Sequence, residues 1–78
     1  MAYPLTNRFA KRLVTVYNNL SGTNPIRIKD LLSVGLSVPV AYKVILLLVK
    51  ENIATEAEEG GYKVDWEKFK QYLDMLIG

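Results

Sequence analysis

The chain of 78 residues has no cysteine and no histidine. Without cysteine there is no disulfide framework, no thiolate nucleophile and no cysteine-ligated zinc. Without histidine the commonest general base and the commonest metal ligand are both missing. Long hydrophobic runs are lacking as well. The longest unbroken aliphatic stretch, Val44 to Val49, is six residues, against the roughly 20 that a membrane-spanning helix needs. Charge of one sign is scarce: ten Lys and Arg against eight Asp and Glu leave +2, too little to dictate a partner by itself. The opening Met-Ala-Tyr-Pro-Leu-Thr-Asn-Arg carries no apolar secretion core. These absences set the expectation of a cytoplasmic, non-catalytic protein, compatible with association with the nucleoid. No cofactor, metal, membrane or small-molecule substrate is expected.

What the chain does have is hydrocarbon. Half of its residues are apolar, which implies an ordered core rather than a disordered tail. A chain of this mass buries only about 63% of its unfolded surface, so there is room for one small domain. No internal repeat, low-complexity tract or long linker appears, and the expected domain spans residues 1–78.

Periodicity divides the chain. Phe9, Leu13, Val16, Tyr17 and Leu20 recur at i, i+4, i+7, i+8 and i+11, one face of an amphipathic helix from about Asn7 to Leu20. Thr6 suits its N-cap and Ser21-Gly22 its end. On another face Arg8, Lys11 and Arg12 form a compact basic patch. Thr23-Asn24-Pro25 reads as a turn. The alternation of Ile26-Arg27-Ile28 fits a short strand, and Lys29 to Val34 fits a short helix with Leu31, Leu32 and Val34 facing inward. Gly35 is placed to end that helix in the left-handed conformation.

Ser37 can cap the next segment, where Pro39 falls in the first turn and its absent N–H is not missed. Val38 to Glu51 contains five β-branched residues, so Val44 to Val49 alone resembles a buried strand. Length decides for helix: fourteen residues run from the cap to Asn52 without a turn signal. Asn52 then takes the left-handed position at its end. Ile53 to Glu56 and Tyr62 to Val64 flank Ala57-Glu-Glu-Gly-Gly61, the pattern of a hairpin. Asp65 caps a last helix, Trp66 to Ile77, with Trp66, Phe69, Leu73 and Leu76 on one face.

The expected class is therefore mainly α with a small β-hairpin (α+β), in the order α-β-α-α-β-β-α. Ile26-Arg-Ile-Lys-Asp-Leu-Leu-Ser-Val-Gly-Leu-Ser37, followed by the helix to Glu51-Asn52-Ile53, resembles a winged helix-turn-helix domain. The resemblance implies a helix-turn-helix over about 29–51, a wing over about 53–64 and a C-terminal helix over about 66–77. Asn52 stands where that family most often has Gly, and both residues accept the left-handed conformation. By size and pattern the chain is similar to small archaeal helix-turn-helix proteins. Some of these are transcription regulators, and others are accessory subunits of polymerases or ribosomes.

The family's recognition helix enters the major groove, where base edges and phosphates are read by polar and cationic side chains. Here the expected core stripe is Ala41, Val44, Ile45 and Leu48. That leaves Val38, Pro39, Val40, Tyr42, Lys43, Leu46 and Leu47 outward. Only Lys43 among them is charged, and aliphatic groups gain little from a polar groove beyond thymine methyls. The wing carries Glu56, Glu58 and Glu59 with one lysine, Lys63, which opposes the phosphate attraction that dominates DNA affinity. Residues 36–78 hold five Lys and seven acids, whereas residues 1–35 hold five basic groups and one acid. The basic end is thus the first helix rather than the expected reading surface.

Two functions follow as expectations. In the first, a protein partner or a second copy docks on Val40, Tyr42, Leu46 and Leu47, the desolvated anchors of an interface. The chain then serves as an accessory subunit of a replication or transcription machine. The alternative is a regulator binding duplex DNA with residues 38–51. It would use Lys43, Lys50 and Tyr42 in the groove and Arg8, Lys11, Arg12, Arg27 and Lys29 on phosphates. DNA is then met directly or through a larger complex. Catalysis has no support: Asp30, Asp65 and Asp74 do not cluster with a base, and Gly60-Gly61 belongs to a hairpin rather than a phosphate loop.

Overall fold

Tyr17, Trp66 and Phe69 form the contact between the first and last helices in a computed structural model that describes residues 7–77. The ring of Tyr17 meets Trp66 and Phe69 edge-on, at centroid distances of 6.0 and 5.7 Å. Trp66 and Phe69 stack at 5.6 Å. Such edge-on and stacked pairs add about 0.5–1.5 kcal/mol each beyond simple burial. The helices they join are α1 (Asn7–Leu20) and α4 (Trp66–Ile77), both with the expected bounds. The expected cap of α1, Thr6, lies outside the described residues. Leu13 and Val16 carry the buried stripe of α1, while Phe9, Tyr17 and Leu20 are half-buried at its margins.

Between them lie α2 (Ile28–Ser33), α3 (Val38–Lys50), β1 (Ala54–Glu56) and β2 (Tyr62–Val64). The molecule is mainly helical with one two-stranded antiparallel hairpin, in register Ala54 with Val64, Thr55 with Lys63 and Glu56 with Tyr62. Both inner helices stop in the same way. After α2, Gly35 (φ 102°) turns left-handed; its N–H donates to Leu32 O at 3.0 Å and that of Leu36 to Leu31 O at 3.3 Å. After α3, Asn52 (φ 61°) does the same, with bonds from Asn52 to Val49 O at 3.0 Å and from Ile53 to Leu48 O at 2.8 Å. These paired bonds define a Schellman motif, and the hydrophobic contact that accompanies it is present as buried Leu31 with Leu36 and Leu48 with Ile53. Lys68 of α4 also donates from Nζ to the Asn52 carbonyl at 3.0 Å.

The segment before α2 differs from its expected form. Instead of a strand over Ile26-Arg27-Ile28, only Ile26 pairs, exchanging both backbone bonds with Tyr62 at 2.8 Å. The reason is local. Arg27 is already the extended N-cap of α2, its own N–H donating to Asp30 Oδ2 at 2.9 Å, so Ile28 is helical. Two residues upstream, the Asn24 side chain supplies what a longer strand would have. Its Oδ1 accepts from Val64 N at 2.7 Å and its Nδ2 donates to Val64 O at 3.2 Å. A side-chain amide thus imitates a peptide unit along the outer edge of β2. Trp66 Nε1 adds a bond to Thr23 O at 2.9 Å.

The hairpin tip is pressed onto the same segment. A turn closed by Gly60 N to Ala57 O at 3.0 Å puts Glu58 and Glu59 at its corners. Arg27 Nη2 donates to Glu59 O at 3.2 Å. Any side chain at Gly61 would collide: a Cβ there would sit 2.8 Å from the Ile26 carbonyl oxygen, at φ 80°. Buried residues from every helix and both strands then form one cluster, with Phe69, Leu13, Ile26, Leu31, Leu48, Val16 and Val44 its largest fully buried side chains. None of the described polar or charged residues is buried.

Candidate interaction surface

The third helix has the sequence Val-Pro-Val-Ala-Tyr-Lys-Val-Ile-Leu-Leu-Leu-Val-Lys. Its start is fixed by Ser37, whose Oγ accepts from Val40 N at 3.4 Å, and Pro39 occupies the first turn. Stepping along it at about 100° per residue sorts the side chains cleanly. Leu47, Val40, Val44, Leu48, Ala41 and Ile45 fall on one arc of about 160°. Ala41, Val44, Ile45, Leu47 and Leu48 are buried and Val40 is half-buried. Val38, Val49, Tyr42, Leu46, Pro39, Lys50 and Lys43 fill the complementary arc and are all exposed.

The expected stripe of Ala41, Val44, Ile45 and Leu48 is in the core. Of the four expected anchors, Tyr42 and Leu46 face outward, 54% and 68% exposed. Leu47, expected outward, is only 9% exposed and belongs to the core. Val40 is likewise packed against the core rather than presented. The physical reason is the width of the buried arc. A narrow stripe suits a helix resting on one neighbour, but α3 packs against both α2 and β1, and the wider buried arc takes in Val40 and Leu47. In α2 the departure runs the other way: Leu31 is buried but Leu32, expected inward, is exposed, with Val34 half-buried.

Two residues that the expected set of anchors omits complete the outward face. Val38 is 50% exposed and Val49 41%. With Tyr42 and Leu46 they recur at i, i+4, i+8 and i+11, a second apolar stripe that the same periodicity rule would have found. The face is therefore hydrocarbon over most of its width, and its two charges, Lys43 and Lys50, share one edge about 10 Å apart along the axis. The helix carries no acidic residue.

The remaining cationic candidates are scattered. Arg8, Lys11 and Arg12 are exposed together on α1, and Lys29 is exposed in the first turn of α2. Arg27 is half-buried with its guanidinium committed to the Glu59 carbonyl. The hairpin tip is acidic, with Glu56, Glu58 and Glu59 all exposed. Further apolar exposure occurs at Met75 and Leu76 in the last turns of α4. Among the described residues no group of acidic side chains is placed to hold a metal ion, and no helix is long and apolar enough to cross a membrane. Compared with protein-family models, curated proteins and solved structures, the chain matches none.

Proposed function

We propose that the chain is a winged helix-turn-helix domain turned from duplex reading to protein docking, an accessory subunit of a replication or transcription machine. In this reading α2 and α3 are the helix-turn-helix, the β1–β2 hairpin is the wing, and the outward face of α3 is the docking surface. The observation that carries it is the exposure of Val38, Tyr42, Leu46 and Val49 together on that face. Soluble proteins seldom leave a contiguous apolar patch uncovered, and such side chains supply the desolvated centre of an interface. They contribute little to affinity for a polar groove. The acidic hairpin tip supports the same reading, since a wing on a phosphate backbone would meet like charge there.

The test is titration of duplex DNA at several salt concentrations, paired with affinity capture from the native source with and without nuclease. Docking predicts feeble duplex binding and a stoichiometric protein partner that survives nuclease and is lost in Leu46→Glu. Submicromolar duplex binding with a steep salt slope, abolished by Lys43→Ala, would instead establish the regulator.

A further inference from the structure

We infer that the solvent face of α1 binds the phosphodiester backbone of a double-stranded nucleic acid through Arg8, Lys11 and Arg12. This surface is independent of the α3 docking face and lies on a helix outside the helix-turn-helix. Asn7, Arg8, Lys11, Arg12, Asn18 and Asn19 are all exposed, and at about 100° per residue they fall within one arc of about 140°. Half-buried Thr15 lies inside that arc and no apolar residue does. The helix carries three cations and no acid. The first acid of the chain is Asp30, whose carboxylate accepts from the Arg27 N–H at the start of α2. On α4, which meets α1 through Trp66 and Phe69 against Tyr17, the two acids turn away. Glu67 and Asp74 stand about 160° and 140° around that helix from Phe69.

The chemistry of the face selects its occupant. A protein interface centres on desolvated apolar anchors, and an anionic membrane surface holds an amphipathic helix by its inserted apolar side. The apolar side of α1 is instead committed to the core through Leu13 and Val16 and to α4 through Tyr17. Single strands are held by stacking on aromatic side chains, and the arc has none. A duplex backbone is recognised by charge and hydrogen bonds alone. Its phosphate and sugar oxygens are contacted by Arg and Lys and by Thr and Asn side chains, the residue types of this arc. Arg8 and Arg12 stand about 6 Å apart along the helix axis, against one phosphate per about 3.4 Å of duplex axis on each strand. The cations therefore meet more than one phosphate. Asn19 Nδ2 already donates to Thr15 O at 2.8 Å, so the contact is weighted towards the Arg8 end. Such contacts carry no sequence information.

The experiment titrates the full chain, isotopically labelled, with one duplex sequence prepared as DNA and as RNA, at about 50 and 200 mM salt. Either duplex should shift the amide resonances of Arg8, Lys11 and Arg12 more than those of Tyr42 and Leu46, and the tighter one names the source of the phosphates. Three neutralised phosphates give a salt slope of about −2.7 on DNA, so affinity should fall about fortyfold between those concentrations. Arg8→Gln with Arg12→Gln leaves one cation and should cut that fall to about fourfold. Arg8→Lys with Arg12→Lys should retain the steep slope, and Lys43→Ala should not alter it. These sites are all exposed, and an unchanged thermal transition would show that each variant is folded. An unchanged slope in the glutamine variant, or no α1 shift from either duplex at low salt, would overturn the inference and spare the α3 docking reading. Equally tight binding of a polyglutamate peptide of the same charge would overturn nucleic acid as the occupant. Shifts centred on α3 and abolished by Lys43→Ala would overturn both surfaces.

Discussion

Adjacent leucines on α3 have opposite fates, and that contrast decides what each is for. Leu46 is the most exposed large hydrophobic side chain of α3, while Leu47 is part of the interior. Truncation separates them: Leu47→Ala should cost about 2–5 kcal/mol of stability in urea unfolding, and Leu46→Ala should stay within about 0.5 kcal/mol. Binding should invert that order, with Leu46→Ala the more damaging. A large stability loss at Leu46 would place it inside and overturn the proposed docking face. The residue type alone was silent here, because both are leucine within an unbroken aliphatic run. Periodicity is informative, but a core stripe of Ala41, Val44, Ile45 and Leu48 alone is too narrow, leaving Val40 and Leu47 outside and Val49 unassigned. Asn52 was legible for a better reason. Only a few residue types accept φ near 61°, and asparagine before an apolar residue at a helix end is one of them.

At the scale of elements, α1, β2 and α4 were legible to the residue, because strong periodicity or a clear glycine turn bounds each of them. The stretch between α1 and α2 was not. Its order depends on a side chain acting as backbone, and alternation in Ile26-Arg27-Ile28 has no way to announce that. The joint makes its own prediction. Asn24→Ala removes the partners of both the N–H and the C=O of Val64, so it should destabilise the protein by about 1–3 kcal/mol. Hydrogen exchange at Val64 should quicken more than at Leu48 in the middle of the core. Unchanged exchange at Val64 would mean that β2 does not depend on the amide. Edge protection follows from the same arrangement. One side of β2 is covered by residues 24–26, and β1 is a three-residue strand ending in an exposed glutamate, too short and too charged to invite another strand.

For the whole molecule, a single buried cluster drawing on every helix and strand implies cooperative unfolding. Trp66, the chain's one tryptophan, bridges α1, α4 and the Thr23 carbonyl, so its fluorescence reports tertiary packing. Its thermal transition should coincide with loss of helical circular dichroism, whereas a separate earlier fluorescence change would reveal that the α1–α4 contact opens on its own. The class of the fold was readable from composition and order, but the direction in which α3 offers its side chains needed the packed neighbours. The durability of the molecule also turns on the residue that follows Asn24. Asparagine side chains are lost over time when the next backbone nitrogen, shedding its proton, attacks the side-chain carbonyl and closes a cyclic imide with release of ammonia. The next residue here is Pro25, whose ring nitrogen has no hydrogen to shed. The amide that stands in for a strand is therefore shielded from deamidation, the ageing reaction that would convert its donor into a negative oxygen facing the Val64 carbonyl.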